Sequence, residues 1–531
     1  MVMTSMHQRG VVGAYKYRAV LLDPIHGFIP VNTAEYSILQ TPFLRRLHNI
    51  TQLGLTFLVY PGARHSRFEH SIGVMHLMGR FAEKLSSAMQ EDNDICLSIT
   101  SSCSTRELRN FIQVSRLTGL LHDVGHLPFS HQLEIALNEL YREKPDLFPW
   151  MGNVKTKIHE HYTLHYINRI KEAYTKPRSK LRYILQAVED VITPKKRPDR
   201  EAMNKLGLKA GAYDVIRQLI SGTIDADRLD YVMRDSYHAG VVYGRVDTDR
   251  LIYALTVDLV NGKPRAIYDV KGLSALEDMF DSRVKMYKWL YFHHKNTAFY
   301  IALAKIVRSL KDKWDLIVSK IYPHLGNIGF SELFDPIVLT DLIASSKIMF
   351  DENEFMAMVY MLRNTGDSVA ERWASSIAER RELLPISIVK RSGDLVLYME
   401  GRPPDTIKRL SRLMSDEISV KRLEDEIKQY YIEAYGDRLR EECGIYPSQA
   451  SFVVSSYSIE KGALKRDLKV KGVRVFELAG VSSHVRGIHV AASDPIIYVH
   501  AYSDDECEHL FMRRLEEDLR RVVVKLFEKT L

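Results

Sequence analysis

The run TGLLHDVGHLPFSH, residues 118–131, brings His122, Asp123, His126 and His131 together among apolar residues that can bury them. Neutral imidazole nitrogens and a carboxylate oxygen suit Zn, Mn, Fe or Ni, and a bound cation would offset the desolvation of the carboxylate. The indicated chemistry is that of a metal site. Hydrogen-bonded core histidines are the plainer reading, but three His and one Asp in so short a run weigh against it. Spacing leaves the ligand pair open, because His122 and His126 stand at i and i+4 on one helical face while Asp123 lies about 100° round the axis.

Other stretches supply partners. SGTIDADRLDYVMRDSYHAG, residues 221–240, carries Asp225, Asp227, Asp230 and Asp235 among Leu229, Tyr231, Val232 and Met233. Asp227 could complete a His-His-Asp-Asp shell, although acidic residues also favour the start of a helix. His65, Arg67, Glu69 and His70 cluster before an amphipathic run carrying Ile72, Met75, Met78, Phe81 and Leu85. An Arg there could share the oxygens of a metal-bound phosphate through its planar fork. KIHEHYTLHYI places His159, Glu160, His161 and His165 on a further helix, of which one or two need be functional. Arg283, Tyr287, Tyr291, His293, His294 and Lys295 recur at helical spacing and could hold a base and phosphates.

The positioning elements are mostly helical. Leu117, Leu120, Leu121 and Val124 predict a buried helix ending near Gly125, with Pro128 opening the next turn. Residues 18–23 predict a strand entering the turn DPIHGFIPV, and residues 33–54 two short helices broken near Pro42. The Ser-rich residues 86–110 are expected as a loop or insertion. A hairpin is expected over 252–270 around Asn261-Gly262, then long helices over 273–320 and further helices over 330–385. Residues 384–403 and the segments RDLKVKGVRVFEL, RGIHVAASD and PIIYVHAYS alternate as strands, and residues 504–529 predict one closing helix. The fold class is mainly α: a core over 1–320, a helical extension over 321–384 and a smaller α+β region over 385–531.

Composition excludes little. A chain of 531 residues has ample length for a large core and more than one domain. Its 46% hydrophobic and 27% charged content is that of a soluble globular protein. The formal charge of +7 favours anionic ligands weakly and leaves nucleic acid binding open. Cys96, Cys103, Cys443 and Cys507 are too few for a disulfide scaffold and form no C-x-x-C pair, which fits a reducing cytoplasm. With no long apolar run or leader pattern, a cytoplasmic location without membrane attachment is expected.

The segments DPIHGFIPV, TQLG, PGARHSRFEHSIGV, GLLHDVGHLPFSH, IHEH, DADRLDYVMRD and MYKWLYFHH follow one another in an order that resembles HD-domain phosphohydrolases, in the branch of deoxynucleoside triphosphate triphosphohydrolases. The resemblance runs through much of residues 20–295. It implies an HD-domain helical core, with His70, His122, Asp123 and Asp227 as ligands of one divalent metal: Mn, Fe, Zn, Ni or Mg. It further implies attack of a metal-activated water on the α-phosphorus, with triphosphate leaving whole and a deoxynucleoside remaining. His126, His131 and His159 would flank the α-phosphate, with Glu160 supporting His159 and one histidine protonating the departing 5′-oxygen.

Arg67, Arg228 and Arg283 would hold phosphates, Arg228 standing where the family more often has lysine. Gln52 and Asp235 would take the 3′-hydroxyl, while Leu53, Tyr231 and Tyr291 crowd the ring against a 2′-hydroxyl. Tyr287 lies near the base at a position where the mammalian member has histidine. Gln40 and His48 replace that member's activator-binding Asp and a nearby Arg, so its regulation is not carried over. A homo-oligomer, dimer or tetramer, is expected. The alternatives are an HD-type hydrolase of another nucleotide or nucleic acid phosphoester, or a noncatalytic nucleotide- or nucleic-acid-binding protein.

Overall fold

The computed structural model describes residues 17–391 apart from 155, 194–196, 327 and 381–383. It also describes residues 414–530 apart from 415, 448–449, 458–468, 471–472 and 475–495. It is mainly α, with a helical core and a smaller α+β C-terminal region.

The strands Tyr17–Asp23 and Gly27–Asn32 pair antiparallel into a hairpin. Its tight turn needs Gly27, whose φ of +69° lies in the region glycine favours. The inner side chains Ile29 and Val31 are buried, whereas Val20, Leu22 and Phe28 face outward. Asn32 then caps the helix Thr33–Leu39, accepting the Glu35 N–H at 3.0 Å. The break near Pro42 is present, where a short helix Pro42–Arg45 runs into a 3-10 turn, Arg46–Asn49.

Two helices form the spine of the core, Arg67–Glu91 and Thr105–Leu121, packed along each other. Each starts from a serine capping box, Ser66 with Glu69 and Ser104 with Glu107, which satisfies otherwise orphaned N–H groups. The second helix stops at Leu121, four residues before the expected end, and His122 caps it. His131–Glu143, Ile158–Ala173 and Ala226–Ala239 complete the frame of the site. The expected hairpin is Leu255–Val260 with Lys263–Tyr268, its turn at Asn261 and Gly262 both of positive φ.

Residues 86–110 are not the expected loop. The long helix continues to Glu91, Asp92 caps a further helix Asn93–Ile99, and Cys96 and Ile99 turn inward. The cysteines also depart from expectation, since Cys96 pairs with Cys103 and Cys443 with Cys507 in disulfides. The closing helix is two, Glu506–Arg514 and Glu516–Thr530, with Leu515 between them. The expected strand RGIHVAASD lies outside the described residues.

Strand Ile496–Tyr502 is the middle of a three-stranded sheet, between Ile386–Val389 and Ser451–Tyr457. All seven of its residues are buried because its two faces serve two cores. Ile496, Tyr498 and Tyr502 join the large core, while Ile497, Val499 and Ala501 join the smaller C-terminal one. This is the period-two alternation of a strand covered on both sides. No helix among the described residues is long and apolar enough to cross a membrane.

Candidate active site

The capping box at Ser66 sets the first turn of helix 67–91, and with it Arg67 and His70. His122 and Asp123 follow the end of helix 105–121, and Asp227 stands in the first turn of helix 226–239 behind its N-cap Asp225. The three chain regions converge. His70 Nε2 lies 3.2 Å from Asp227 Oδ1 and 3.7 Å from Asp123 Oδ2. His122 Nε2 lies 3.5 Å from Asp123 Oδ1 and 3.7 Å from Asp227 Oδ1.

In each histidine the other nitrogen is already engaged. His70 Nδ1 meets Asp230 at 2.8 Å and His122 Nδ1 meets the Gly119 carbonyl at 2.8 Å. Such contacts fix the tautomer that offers Nε2 outward. Both Nε2 atoms are buried without a hydrogen-bond partner among the described residues. His70, His122 and Asp227 thus group as donors for one ion, and the N/O set fits a divalent metal. Burial works against both carboxylates, yet their polar neighbours hold them well below the usual range: the His122 imidazole and the Arg67 guanidinium beside Asp123, and the His122 and His70 imidazoles beside Asp227.

Beside this centre lies a second histidine group. The rings of His126 and His159 stack at 4.0 Å, with His131 at 4.7 Å from the first and 5.1 Å from the second. His126 Nε2 is 3.6 Å from Asp123 Oδ1, so it borders the metal-type cluster directly. Burial, then Arg67 and His159, keep His126 well below the ordinary imidazole range and hence neutral.

The carboxylate serving this trio is Glu134, not the expected Glu160. Glu134 Oε1 accepts the backbone N–H of His159 at 3.1 Å and meets its Nδ1 at 2.8 Å, while Oε2 lies 3.4 Å from His131 Nδ1. Glu160 closes the start of its own helix instead, accepting the Lys157 N–H at 3.4 Å. The reason is geometric: a residue following His159 on one helix is turned about 100° away, whereas Glu134 approaches from helix 131–143. The loop carrying His126 lies against helix 158–173 at Gly125, where a Cβ would meet the His159 carbonyl at 2.3 Å. His161 and His165 take another face, His161 stacking on Trp150.

The expected substrate residues, Arg228 apart, are bonded or packed in two groups, one at Arg67 and one at Asp235. Arg67 pairs with Asp123, donates from Nε to Ser130 Oγ at 2.8 Å, and reaches the Gln52 carbonyl at 3.4 Å. Leu53 follows, its carbonyl accepting from Gln132 at 3.1 Å. Asp235 is buried between His65 Nε2 and the Tyr291 hydroxyl, both at 2.7 Å. Tyr291 packs edge-on to Tyr231 and Tyr287, and Arg283 lies over the Tyr287 ring at 5.4 Å. Tyr287–Tyr291 is a π turn rather than continuous α-helix, a local widening often found at functional sites. Arg228 folds back onto Asp225 and the Gly222 carbonyl.

Sequence reasoning missed Arg46 and Glu352 as well as Glu134. Arg46 is fully buried and donates to the carbonyls of His126 at 2.8 Å, Met349 at 3.0 Å and Phe350 at 2.9 Å. Glu352 accepts from Thr51 N at 2.8 Å, Thr51 Oγ1 at 2.7 Å and Phe129 N at 3.0 Å. Between them the loop bends through Phe129 and Ser130, both with φ of +56°.

Residues 67–232 match the family model described as the HD domain. Among relatives, the chain is 31% identical over 276 residues to an uncharacterized protein of Methanocaldococcus jannaschii, covering 52% of this chain and 46% of that one. It is 32% identical over 285 residues to the deoxynucleoside triphosphate triphosphohydrolase SAMHD1 of Homo sapiens, covering 52% and 42% respectively. The chain spans about half the length of the curated relatives it matches. A phosphohydrolase of Bacteroides thetaiotaomicron has the same fold, with a TM-score of 0.58 at 22% identity over 91% of this chain and 99% of that one.

Proposed function

We propose that the chain is a metal-dependent phosphohydrolase that converts deoxynucleoside triphosphates to deoxynucleoside and triphosphate. The observation that carries this reading is the pair of buried, unpartnered Nε2 atoms of His70 and His122, turned toward Asp123 and Asp227 with three further imidazoles alongside. The likeness to deoxynucleoside triphosphate triphosphohydrolases supports the choice of substrate. His70, His122, Asp123 and Asp227 would hold the ion, which when bound supplies Lewis-acid polarisation and activation of water.

The chain's own residues do the rest. Arg67, Arg228 and Arg283 bring positive charge to the phosphates, Arg228 after leaving Asp225. Glu134 engages Nδ1 of His159 and so leaves Nε2 to exchange a proton, the logic of a carboxylate-oriented imidazole. One of His126, His131 and His159 gives the proton to the 5′-oxygen as the bond from α-phosphorus to that oxygen breaks and the water oxygen takes its place. Gln52 and Asp235 orient the 3′-hydroxyl, and Leu53, Tyr231 and Tyr291 disfavour a 2′-hydroxyl.

The test is a panel of deoxy- and ribonucleotides with Mn²⁺ or Mg²⁺, products being separated by chromatography and Asp123→Ala run in parallel. Triphosphate plus deoxynucleoside is expected, falling at least about 10³-fold in the variant. Monophosphate plus pyrophosphate would refute the reaction.

A further inference from the structure

The turn DPIHG has no part in the chemistry above, yet its side chains reach the back of the candidate metal centre. Asp23 accepts the N–H groups of Ile25 at 2.9 Å and His26 at 2.8 Å, which shapes the turn. The same carboxylate grips Arg234, at 2.7 Å to Nη1 and 3.2 Å to Nη2. Arg234 in turn holds Asp230 by Nε at 2.8 Å and Nη2 at 2.9 Å. His26 Nε2 meets Asp230 Oδ1 at 2.6 Å, and Asp230 Oδ2 meets His70 Nδ1 at 2.8 Å. Asp230, with no exposed surface, is therefore bonded on both oxygens, one toward the hairpin and one toward His70.

There is no slack in this arrangement. Helix 67–91 passes Asp230 at Gly73, where a Cβ would stand 2.0 Å from Asp230 Oδ1 and 2.4 Å from Arg234 Nη2. A carboxylate that orients a ligating imidazole governs the direction of its other nitrogen. Asp230 is thereby tied to the turn of the N-terminal hairpin, directly through His26 and by way of Arg234 to Asp23.

We propose that His26 is a positioning residue for the metal centre: through Asp230 it fixes the ring of His70, so the tip of the hairpin sets how firmly the ion is held. The inference rests on the metal-centre reading and assigns His26 no contact with substrate. Its test uses the full chain loaded with Mn²⁺. Three quantities are measured: bound metal after dialysis, the rate of loss to EDTA, and the melting temperature before and after EDTA.

His26→Ala is expected to weaken metal retention about 10- to 100-fold and to lower the melting temperature clearly more with Mn²⁺ bound than after EDTA treatment. His26→Gln, whose amide can still donate toward Asp230, should recover part of the loss. Leu22→Ser, on the exposed outer face of the same hairpin, should retain metal as wild type does. Wild-type retention in His26→Ala overturns the inference, as does an equal fall in melting temperature with and without metal, which marks a purely structural role. Wild-type protein that keeps no Mn²⁺ sinks the metal-centre reading itself, a distinct result.

Discussion

The two faces of strand Ile496–Tyr502 look onto regions built by different means. On one side, the core that surrounds the candidate site contains buried Arg46, Arg234, Glu35 and Asp230, each committed to several hydrogen bonds. On the other, Ile497, Val499, Ala501, Leu519, Val523 and Phe527 meet mainly as apolar surface. Apolar packing tolerates rearrangement, because the burial of area is not directional. A hydrogen-bonded interior does not, since a donor or acceptor stripped of its partner retains its desolvation penalty. Directional order is dense where catalysis would need fixed geometry.

The sharpest way to break this contrast is within the site. Glu134→Gln is expected to lower kcat by about 10²-fold or more with the fold retained, whereas Glu160→Gln changes it little. Steady-state rates of the two variants decide between the carboxylates, and the opposite order would return the supporting role to Glu160.

A smaller effect separates the two interiors. Arg46→Met leaves the carbonyls of His126, Met349 and Phe350 without their donor, and should cost about 3–5 kcal/mol in urea unfolding together with a loss of activity. Leu519→Ala in the apolar core should cost about 2–4 kcal/mol while metal retention and kcat stay unchanged. If both variants lose activity alike, the regions are not functionally distinct.

The smallest effect concerns Glu352, whose burial lifts its pKa to about 7 against the N–H and hydroxyl donors of Thr51 and Phe129. Because the folded value exceeds the unfolded one, its favourable contribution is present below about pH 4.5 and fades as pH rises through 7. Glu352→Gln should remove that component, on the order of 2–3 kcal/mol, so that stability declines less between pH 5 and 7.5. Denaturant midpoints at the two pH values provide the check.

How legible this was in advance depended on distance along the chain. His122 and Asp123 were exposed by their crowding, and the helical period gave both spine helices. Glu134 was within reach too, since it stands at i+3 from His131 inside the next helix. By contrast, Glu352 reaches Thr51 and Arg46 reaches Phe350 across about three hundred residues, and no local pattern announces such a pairing. Residues 86–110 misled through their serines, although Asp92 and Ser104 were signals for helix starts. Strand 496–502 was legible as a strand, but that both its faces would be covered was not.

The left-handed pair Phe129–Ser130 places a limit on improvement of this protein. Backbone in that region is unfavourable for residues bearing a Cβ, and here it is held by Glu352 behind and by Arg67 and Thr51 through the Ser130 hydroxyl. Glycine at 129 would relieve the conformation and yet free the loop that aims His126 and His131. Selection for heat resistance alone would drift toward that relief, while selection for turnover would keep the bulky residues.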